Sequence, residues 1–522
     1  MLRFLPQDGL RTASWAAPLV IALAVVLLLS SPALTSGQAP QATGPPTPTR
    51  VDAAVALPPG GNFSTYLGNV ERTSSSHSEK LINLTTAGSL HLLWSYDTGK
   101  EPVQSQPVEQ DGIVYFGANT GYEYALYAIN GTLLWKTFLG LANTDSACNR
   151  TEGVTSTATV EGSHLYVDGG SPYFYTLNSN TGAVEWQTPV GSGTNAEGFY
   201  DWSSPLVSAQ RAYVGIASQC DQPLVQAGVD EFSLTTHDLV KSFDTSAPAP
   251  NGSSVWGSPS LNAETNTLFV ATGDPYGASL TEYSESILAL NATTLAVKAK
   301  WQVPVLQTVP DGDFGVTPTL FTPSGGYPMV TAANKNGILY ALYQSNLTLA
   351  WEAPLCCTDV EDEHISTAWG GGYVYAVSSD TTVGGVSYNS SVRAFNPRTG
   401  VVVWAKGFSD SSYDGYAAPL WVNGLLIVPD EHTLLVLNAK TGATIYQYNQ
   451  PGHFQAAASI SRGEVFVGSS DGRVYAFGPT SLPNRAGAHA PGVASGLPGA
   501  PGTRVQSTSG WRKNARGRSV EL

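Results

Sequence analysis

The chain has 522 residues, of which 12% are charged, and its 25 Lys and Arg against 40 Asp and Glu give a formal net charge of −15. A nucleic-acid-binding surface needs a basic stripe, so this composition excludes that class of partner. The length allows two or three average domains or one large β architecture. The 54 Gly, 24 Tyr and 12 Trp, with abundant Ser, Thr and Val, favour many short strands joined by tight turns.

The N-terminal segment has the order of a secretory signal. Arg3 and Arg11 precede an apolar run from Trp15 to Leu29, and small residues follow as far as Gly37. This run of 15 residues is short for a membrane span, which needs roughly 20. Residues 1–37 therefore predict export to an extracellular or cell-surface location, either as a cleaved signal peptide or as an N-terminal anchor. Residues 38–60, rich in Pro, Gly and Thr, predict a linker.

Sequons and cysteines agree with an exported chain. Eight N-x-S/T sequons are candidate glycosylation sites: Asn62, Asn83, Asn130, Asn149, Asn251, Asn291, Asn346 and Asn389. Four cysteines are present, Cys148, Cys220, Cys356 and Cys357. An even count in an exported chain predicts disulfides, for which three connectivities are possible, and the spacing is not that of a zinc site.

A repeat built from short strands begins near residue 90. Its fullest copy, 423–446, reads as a Gly turn, an alternating strand, a second strand and a hairpin into a strand that bears an aromatic residue. That position recurs eight times, at Trp94, Trp135, Trp186, Val240, Trp301, Trp351, Trp404 and Tyr446. By subtraction, the spacings run from 41 to 61 residues, and a four-stranded propeller blade needs about 40–50. The predicted fold is all-β, an eight-bladed β-propeller over residues 61–479.

The two ends of the repeat predict how the ring closes. The last unit, 463–478, stops before its aromatic strand, and the first aromatic strand, 90–99, has no blade strands before it. If the strand that contains Trp94 completes the last blade, the ring has no free sheet edge. The aromatic positions are expected to pack blades together and not to bind a cofactor. Residues 480–522 lack a strand pattern, are basic near the end and are expected to form a disordered tail.

The residues best suited to chemistry lie between positions 255 and 342. They are Trp256 in VWGSP, Asp274 in ATGDPYG, Asp313 in DGDFG and Lys335 in NKNG. Carboxylates can ligate a hard cation or act as a base, and a lysine can neutralise an anion. This stretch resembles the cofactor-binding half of the quinoprotein alcohol dehydrogenases. The repeats resemble the wider family of pyrroloquinoline quinone (PQQ) β-propellers, polyvinyl-alcohol-dehydrogenase-like members included.

The resemblance implies a role for each of these four residues. Trp256 would form the floor beneath the quinone, and Asp274 and Asp313 would be ligands of Ca²⁺, which polarises the quinone carbonyl. Asp313 would also be the catalytic base that accepts the alcohol proton. Lys335 would contact the quinone oxygens and stabilise the charge of the reduced cofactor.

The sequence departs from the family pattern in three places. Asp274 stands where Asn is usual, which keeps an oxygen ligand. The family's glutamate ligand falls nearest to Gln222, with Asp221 beside it, so Asp221 is a further candidate metal ligand. The adjacent pair Cys356–Cys357 has the form of the family's vicinal disulfide but comes later in the chain. The alternative is that both cysteines pair with the other two.

Each candidate also has an ordinary structural interpretation. Asp274 and Asp313 are equally typical of turn-capping carboxylates, and Lys335 is typical of a solvated turn. The leading interpretation is an exported propeller that uses PQQ and Ca²⁺ to oxidise a small alcohol or a polymer. Because the sequence has no C-x-x-C-H haem motif, a separate electron acceptor would be required.

The alternative is a non-catalytic propeller that acts as a surface or assembly scaffold for a protein partner, since one fold serves both roles. A sugar- or polymer-binding module is a third class. An enzyme predicts that the four residues converge at the central channel around a space for a three-ring quinone. A scaffold predicts a channel plugged by side chains and an apolar patch on a rim.

Overall fold

The structure, a computed structural model, describes residues 60–142, 152–191, 198–200, 202–219, 223–248, 250–276, 279–356, 365–409 and 417–481, and the backbone of two short strands near the C-terminus. The chain divides into two compact units, residues 1–54 and 55–522, and the first unit lies outside the described residues. The predicted signal and all but the last residue of the predicted linker lie outside them as well. No helix among the described residues has the length and apolarity that crossing a membrane requires.

Eight consecutive sheets, here called blades 1 to 8 in chain order, make up the fold. Strands β1 (Ser75–Ser76) and β2 (Leu90–Asp97) precede blade 1 and join blades 7 and 8. Blade 1 contains β3 (Val108–Gln110), β4 (Ile113–Gly117), β5 (Tyr122–Tyr127) and β6 (Leu133–Phe138); blade 2 contains β7 (Thr159–Glu161), β8 (His164–Asp168), β9 (Tyr173–Asn178) and β10 (Val184–Pro189); blade 3 contains β11 (Phe199–Tyr200), β12 (Leu206–Ser208), β13 (Arg211–Ser218), β14 (Gly228–Ser233) and β15 (Leu239–Asp244); blade 4 contains β16 (Ser260–Asn262), β17 (Thr267–Ala271), β18 (Ser286–Asn291) and β19 (Val297–Gln302).

The second half of the ring repeats this plan with longer strands in blades 6 and 7. Blade 5 contains β20 (Thr319–Phe321), β21 (Met329–Asn334), β22 (Ile338–Tyr343) and β23 (Leu349–Pro354); blade 6 contains β24 (Ala368–Gly370), β25 (Tyr373–Val383), β26 (Val386–Phe395) and β27 (Val402–Phe408); blade 7 contains β28 (Leu420–Val422), β29 (Leu425–Asn438) and β30 (Thr444–Phe454); blade 8 contains β31 (Ser459–Ser461), β32 (Glu464–Gly468) and β33 (Arg473–Pro479). A separate pair, β34 (Trp511–Lys513) and β35 (Ser519–Glu521), lies within the predicted tail, and three 3-10 turns span Tyr66–Gly68, Ala87–Ser89 and Val305–Gln307. The predicted all-β, eight-bladed propeller is confirmed.

The cores of the molecule lie between adjacent blades. The second and third strands of a blade are buried on both faces, as β4 and β5 show, whereas the fourth strand β6 alternates between buried and exposed residues. One apolar cluster joins Tyr115 and Trp135 of blade 1 to Val167 and Tyr175 of blade 2. Each blade therefore covers its apolar faces with its two neighbours, and this explains the near-continuous apolar runs in the inner strands.

Strand β2 closes the ring as predicted. It pairs antiparallel with β33, with Trp94 opposite Ala476, and so supplies the fourth strand of blade 8. The indole Nε1 of Trp94 then donates a hydrogen bond of 2.7 Å to the carbonyl of Ala128 in blade 1. Because one strand from the start of the repeat completes its last sheet, the fourth strand of blade 8 is formed from residues nearly 400 positions away.

A β-bulge in each fourth strand fixes one position, which an aromatic residue occupies in most blades. In blade 1 the register shifts immediately beyond the pair formed by Trp135. The same register places Lys241, and not Val240, at this position in blade 3. In blade 4 it places Ala299 there, and not Trp301. The positions predicted from the aromatic spacing were therefore wrong by one residue in blade 3 and by two in blade 4, because the spacing alone does not locate the bulge.

In five blades the side chain at this position donates a hydrogen bond to the next blade. Trp94, Trp135, Trp351 and Trp404 donate from Nε1 to a backbone carbonyl in the hairpin of the following blade, at 2.7, 2.8, 2.9 and 3.0 Å respectively. In blade 3, Lys241 replaces the indole and donates from Nζ to a carbonyl of the blade 4 hairpin at 2.7 Å. A lysine can replace tryptophan at this position because both side chains end in an N–H group that reaches the next blade.

Residues 61–76 run along the innermost strands of the ring. In six blades the amide at the middle of the first strand donates to a carbonyl of this segment at 2.8 or 2.9 Å. The pairs are Glu109 to Phe63, Val160 to Ser64, Leu261 to Val70, Leu320 to Glu71, Trp369 to Thr73 and Trp421 to Ser74. A segment that reaches six of the eight blades lies on the axis, where it satisfies inner-edge amides that would otherwise lack a partner.

A buried arginine anchors this axial segment. Arg72 is fully buried and donates from Nε to the carbonyl of Pro259 at 3.0 Å and from Nη2 to that of Pro205 at 3.2 Å. Its Nη1 donates to the Tyr66 carbonyl at 2.6 Å and to Thr65 Oγ1 at 2.9 Å. At the level of the first strands the channel is therefore filled by the chain itself.

A belt of hydroxyl groups lies two residues before the first strands. Five of them accept a hydrogen bond of 2.8–3.0 Å from the backbone amide at the same position in the preceding blade: Thr157, Ser204, Ser258, Thr317 and Ser366. In blades 7 and 8 the position is Ala418 and Ala457, and Leu67 of the axial segment packs there instead. The belt marks the level just below the loops that carry Trp256 and Asp313.

Candidate functional site

The loops at one end of blades 4 and 5 bring the predicted site residues together. Trp256 and Asp313 lie in the segments that lead into the first strands, β16 and β20. Asp274 follows β17, and Lys335 occupies the turn between β21 and β22. In an antiparallel sheet the second strand ends where the first begins, so all four residues lie at the same end of neighbouring blades.

Asp313 is the centre of the arrangement. Its Oδ1 accepts the backbone amide of Asp274 at 2.7 Å, and its Oδ2 accepts Lys335 Nζ at 2.6 Å. The backbone amide of Lys335 donates to the Asp313 carbonyl at 3.0 Å. A Cβ at Gly273 would lie 2.5 Å from Asp313 Oδ1, so only glycine leaves room for the carboxylate at this approach. The short strands thus hold a buried carboxylate in one orientation.

The ion pair sets the charge states of both partners. Burial alone would raise the pKa of Asp313, but the Lys335 ammonium and the hydrogen bonds from Lys335 and Asp274 outweigh it and lower the pKa below its ordinary value. Burial alone would lower the pKa of Lys335, but Asp313 and Asp311 outweigh it and raise that pKa. At neutral pH the pair is a carboxylate and an ammonium.

Two acidic residues that were not predicted complete the site. Asp311 accepts Lys335 Nζ at 2.9 Å, and Asp274, Asp311 and Asp313 each offer a carboxylate oxygen within 4.8 Å of the others. Glu285 is buried nearby, and burial, followed by the charges of Asp274 and Asp313, raises its pKa to about 7. The sequence could have indicated Asp311, because it stands two residues before Asp313 in the Asp-Gly-Asp motif. Glu285 had no such signal, because it lies outside the motifs, just before strand β18.

Two asparagines hold the Asp313 loop against the Lys335 turn. Asn334 Nδ2 donates to the Gly312 carbonyl at 2.6 Å, and Asn334 Oδ1 accepts the Asn336 amide at 2.9 Å. Asn336 Nδ2 in turn donates to the Tyr340 hydroxyl at 2.8 Å. The Asn-Lys-Asn-Gly turn therefore positions its lysine through the residues on either side.

An aromatic face and a cation lie side by side at this site. Lys335 Nζ is 5.5 Å from the centroid of the Trp256 ring, which is within the range of a cation–π contact. The Trp256 side chain is partly exposed, whereas Lys335 and Asp313 are buried. The arrangement can hold a planar anion over the ring, a hard cation among the carboxylates and a proton on Asp313.

Comparison with known proteins finds a matching family model and several relatives. A family model described as outer membrane protein assembly factor BamB matches residues 124–227 and 388–481. The chain is 23% identical to BamB of Yersinia pestis over 71% of this chain and 84% of that protein. It is 22% identical to the polyvinylalcohol dehydrogenase of Sphingopyxis sp. over 84% of this chain and 68% of that protein.

A third relative matches over part of its length, and two solved structures share the fold. The chain is 22% identical to the quinoprotein alcohol dehydrogenase PedH of Pseudomonas putida over 51% of each protein. A europium-containing methanol dehydrogenase superposes with a TM-score of 0.65 at 14% identity, over 80% of this chain and 98% of that one. The quinohemoprotein alcohol dehydrogenase of Comamonas testosteroni gives 0.63 at 16% identity, over 80% of each chain. The chain is thus an eight-bladed β-propeller that is similar to PQQ-repeat and quinoprotein alcohol dehydrogenase proteins.

Three of the cysteines of this propeller, Cys148, Cys220 and Cys357, lie outside the described residues, as does Asp221. Cys356 is partly buried just after β23, at the same end of the ring as Asp313. The vicinal bridge, the other connectivities and the role of Asp221 therefore stay predictions.

Some sequons of the propeller occur because asparagine is favoured in the turns of its hairpins. Seven lie among the described residues, none of them buried, and Asn149 lies outside. Asn130, Asn291 and Asn346 begin hairpins, where each Oδ1 accepts a backbone amide two residues on, at 2.9–3.1 Å. Asn178 and Asn438 make the same contact without a sequon. Some sequons are thus products of the turn, and glycosylation at any of them stays a prediction.

Proposed function

We propose that this protein is an exported alcohol or polyol dehydrogenase that uses PQQ and a divalent cation such as Ca²⁺. The observation that carries the proposal is the buried Lys335–Asp313 pair beside the Trp256 face, with Asp274 and Asp311 next to it. The names of two relatives, a polyvinylalcohol dehydrogenase and a quinoprotein alcohol dehydrogenase, support the same reaction class.

The residues present fit the cofactor and its cation. PQQ is a planar polyanion, and the partly exposed Trp256 ring with the Lys335 ammonium 5.5 Å from its centroid suits a flat, negatively charged group. The three aspartates within 4.8 Å offer only oxygen, the donor that Ca²⁺ prefers. When bound, PQQ supplies a two-electron acceptor for the hydride of the alcohol carbon, and the cation supplies a Lewis acid.

In this proposal Asp313 holds the proton. Its pKa is lowered, so it is ionised at neutral pH and can take the hydroxyl proton of the alcohol as the hydride leaves the same substrate. The substrate thereby loses one proton and one hydride and becomes an aldehyde or ketone. The Asp274 amide keeps the Asp313 carboxylate oriented, and Lys335 stays charged and stabilises negative charge that develops beside it.

The test is a titration of the purified chain with PQQ and Ca²⁺, followed by absorbance and by dye-linked oxidation of ethanol, 1,2-propanediol and polyvinyl alcohol. We expect Asp313→Asn to bind PQQ and to lose at least about 100-fold in turnover, within the range expected for a general base. Glu264→Gln, an exposed change in blade 4, is the control and should leave turnover unchanged. A chain that binds no PQQ at micromolar concentration would contradict the proposal.

Export and the electron acceptor belong to the same proposal. The signal-like order of residues 1–37 and the similarity to an outer membrane protein assembly factor support a location outside the cytoplasm. Electrons would pass to a separate acceptor.

A second candidate is a non-catalytic assembly scaffold, and two observations favour it. The axial segment 61–76 fills the channel at the level of the first strands. In the loop between blades 4 and 5, Leu306 is 99% exposed and Val305 is 75% exposed, which forms an apolar tip beside the site. A scaffold predicts no PQQ binding and a crosslinked protein partner that is lost in Leu306→Asp, whereas the enzyme predicts PQQ binding.

A further inference from the structure

A group of two histidines and a glutamate lies in blade 7, away from the site described above. Glu431 and His432 lie within β29, where this strand passes from its pairing with β28 to its pairing with β30. His453 is the penultimate residue of β30. The backbone of Glu431 pairs with Phe454, which brings His453 beside the turn.

We infer that Glu431, His432 and His453 form a binding site for one divalent transition metal of the Zn²⁺ class. Each residue offers a ligand atom within 4.8 Å of the other two, and the imidazole centroids are 4.3 Å apart. Tetrahedral ligands at ~2.0–2.1 Å from the metal lie roughly 3.3 Å apart, so small side-chain rotations complete the geometry. Two imidazoles and one carboxylate, with the fourth position left to water, is a donor set that zinc accepts.

The donor chemistry separates this site from the carboxylate site in blades 4 and 5. Imidazole suits Zn²⁺, Cu²⁺ and Ni²⁺, whereas carboxylates alone suit Ca²⁺ and Mg²⁺. Asp274, Asp311 and Asp313 offer only oxygen. Ca²⁺ should therefore compete poorly for the blade 7 site.

A hydrogen bond already fixes one imidazole for ligation. His432 Nδ1 lies 2.8 Å from the carbonyl of Gly452, and because a carbonyl only accepts, Nδ1 carries the hydrogen. The lone pair of His432 is then on Nε2, and this carbonyl contact is the usual support of a ligating histidine. Gly452 itself is required there, since a Cβ would lie 2.8 Å from that of Asp471.

The burial of the three side chains suits a site that a metal can enter. Glu431 is 2% exposed, whereas His432 and His453 are partly exposed. The backbone at Glu431 has a φ of +45°, a strained conformation for a non-glycine residue. The carboxylate is thus placed at the inner side of the group, with the imidazoles toward solvent.

A metal bound here would lie beside the contact between blade 7 and blade 8. The amide of His453 donates to Ser470 Oγ at 2.8 Å, and the amide of Ser470 donates to the His453 carbonyl at 2.8 Å. Phe454 also makes a backbone bridge with Ser469. Ligation by His453 would therefore tie the blade 7 turn to a segment that is already docked on the blade that β2 closes.

The experiment uses the full chain, stripped with chelator and titrated with Zn²⁺ in the presence of excess Ca²⁺. We expect a Zn²⁺ equivalent that the double variant His432→Gln/His453→Gln binds at least about 100-fold more weakly. The matched control His77→Gln/His91→Gln changes two exposed histidines elsewhere and should bind as the wild type does. Asp313→Asn should also keep this binding, which separates the blade 7 site from the proposed catalytic site.

Two measurements guard against a variant that fails to fold. Co²⁺ added to the wild-type chain should give the absorption of a four-coordinate site with nitrogen and oxygen ligands, and Zn²⁺ should abolish it. Zn²⁺ should also raise the midpoint of thermal unfolding of the wild type and of the control, but not of the double variant. Zn²⁺ affinity that is the same in all three proteins, or that falls equally in the control, would overturn the inference.

Discussion

Lys335 Nζ lies 2.6 Å from Asp313 Oδ2, and both side chains are buried at the mouth of a ring whose axis is filled by its own N-terminal segment. A buried ion pair costs desolvation of two charges, and the mutual attraction offsets this only with good geometry and further hydrogen bonds. Asp313 has those bonds, from the Asp274 amide and from Lys335. This desolvation cost is the physical reason to propose a function for the pair.

Lys335→Met should destabilise the protein by about 3–5 kcal/mol, because it leaves the Asp313 carboxylate buried beside acidic neighbours. Urea unfolding followed by far-UV circular dichroism measures the change. Lys440→Met, an exposed control, should change stability by less than about 0.5 kcal/mol. The double variant Lys335→Met/Asp313→Leu should regain much of the loss, and a double variant destabilised by the sum of the Lys335→Met and Asp313→Leu single variants would show that the pair is not coupled.

The pH dependence of that pair has a definite sign. The lowered pKa of Asp313 contributes stability that is present above the unfolded carboxyl value and is lost as the pH falls through the folded value. The raised pKa of Lys335 contributes stability that is present below the unfolded lysine value and is lost as the pH rises through the folded value. Lys335→Met removes the charge that lowers the pKa of Asp313, so burial then raises that pKa, and the destabilisation by the variant should grow as the pH rises from about 4 toward neutrality. Urea midpoints of the wild type and the variant across that range test it, and a destabilisation that shrinks with rising pH would contradict the assignment.

Asp230→Asn should stabilise the protein at high pH and not at low pH. Asp230 is buried in blade 3, where burial raises its pKa to about 6 despite hydrogen bonds from Ser242 and the Gly191 amide. A raised carboxyl pKa costs stability as the pH rises from the unfolded value to the folded value, here between about 4 and 6. The variant should gain on the order of 2 kcal/mol at pH 8 relative to pH 4. Thermal midpoints at the two pH values measure this, and a gain that is independent of pH would point to another cause.

Gly442→Ala should destabilise the protein more than Gly385→Ala. Both glycines have positive φ, +71° and +83°, so both substitutions carry the strain of an L-residue in that region. A Cβ at Gly442 would lie 2.7 Å from Trp404, whereas a Cβ at Gly385 meets nothing within 4 Å. Overpacking adds about 1–3 kcal/mol, and the difference between the two urea midpoints measures it. Equal effects would show that the docked indole yields freely.

Arg72→Met should destabilise the protein by about 3–5 kcal/mol, since it leaves buried carbonyls of three chain segments without their donor. Burial lowers the pKa of Arg72 to about 10, so it is still charged at neutral pH. Arg398→Met is the control, because Arg398 is exposed and donates only to Ser324 among the described residues. Chemical unfolding of the two variants compares them. Similar midpoints would mean that the axial segment contributes little to stability.

The sequence by itself determined the number of blades, the closing strand and the four residues of the site stretch. The repeat encodes these features locally, because each blade is a run of short strands with its own turns. The pairing of Trp94 with Ala476 followed from the missing strand at each end. The residues Trp256, Asp274, Asp313 and Lys335 could be named because each stands in a short motif at a strand end, and a repeated blade places equivalent strand ends at the same end of the ring.

Only the tertiary structure decided which residues share space across blades. Glu285, just before β18, lies near Asp274 and Asp313, and the bulge in blade 3 places Lys241, not Val240, at the position where other blades have an indole. Residues 61–76 follow the axis because backbone amides of six first strands donate hydrogen bonds to them. The spacing of the repeats in the sequence does not predict these hydrogen bonds. These contacts join residues that are far apart in sequence, and they form only when the ring closes. The residues of one blade do not by themselves show which residues of the neighbouring blades they will contact.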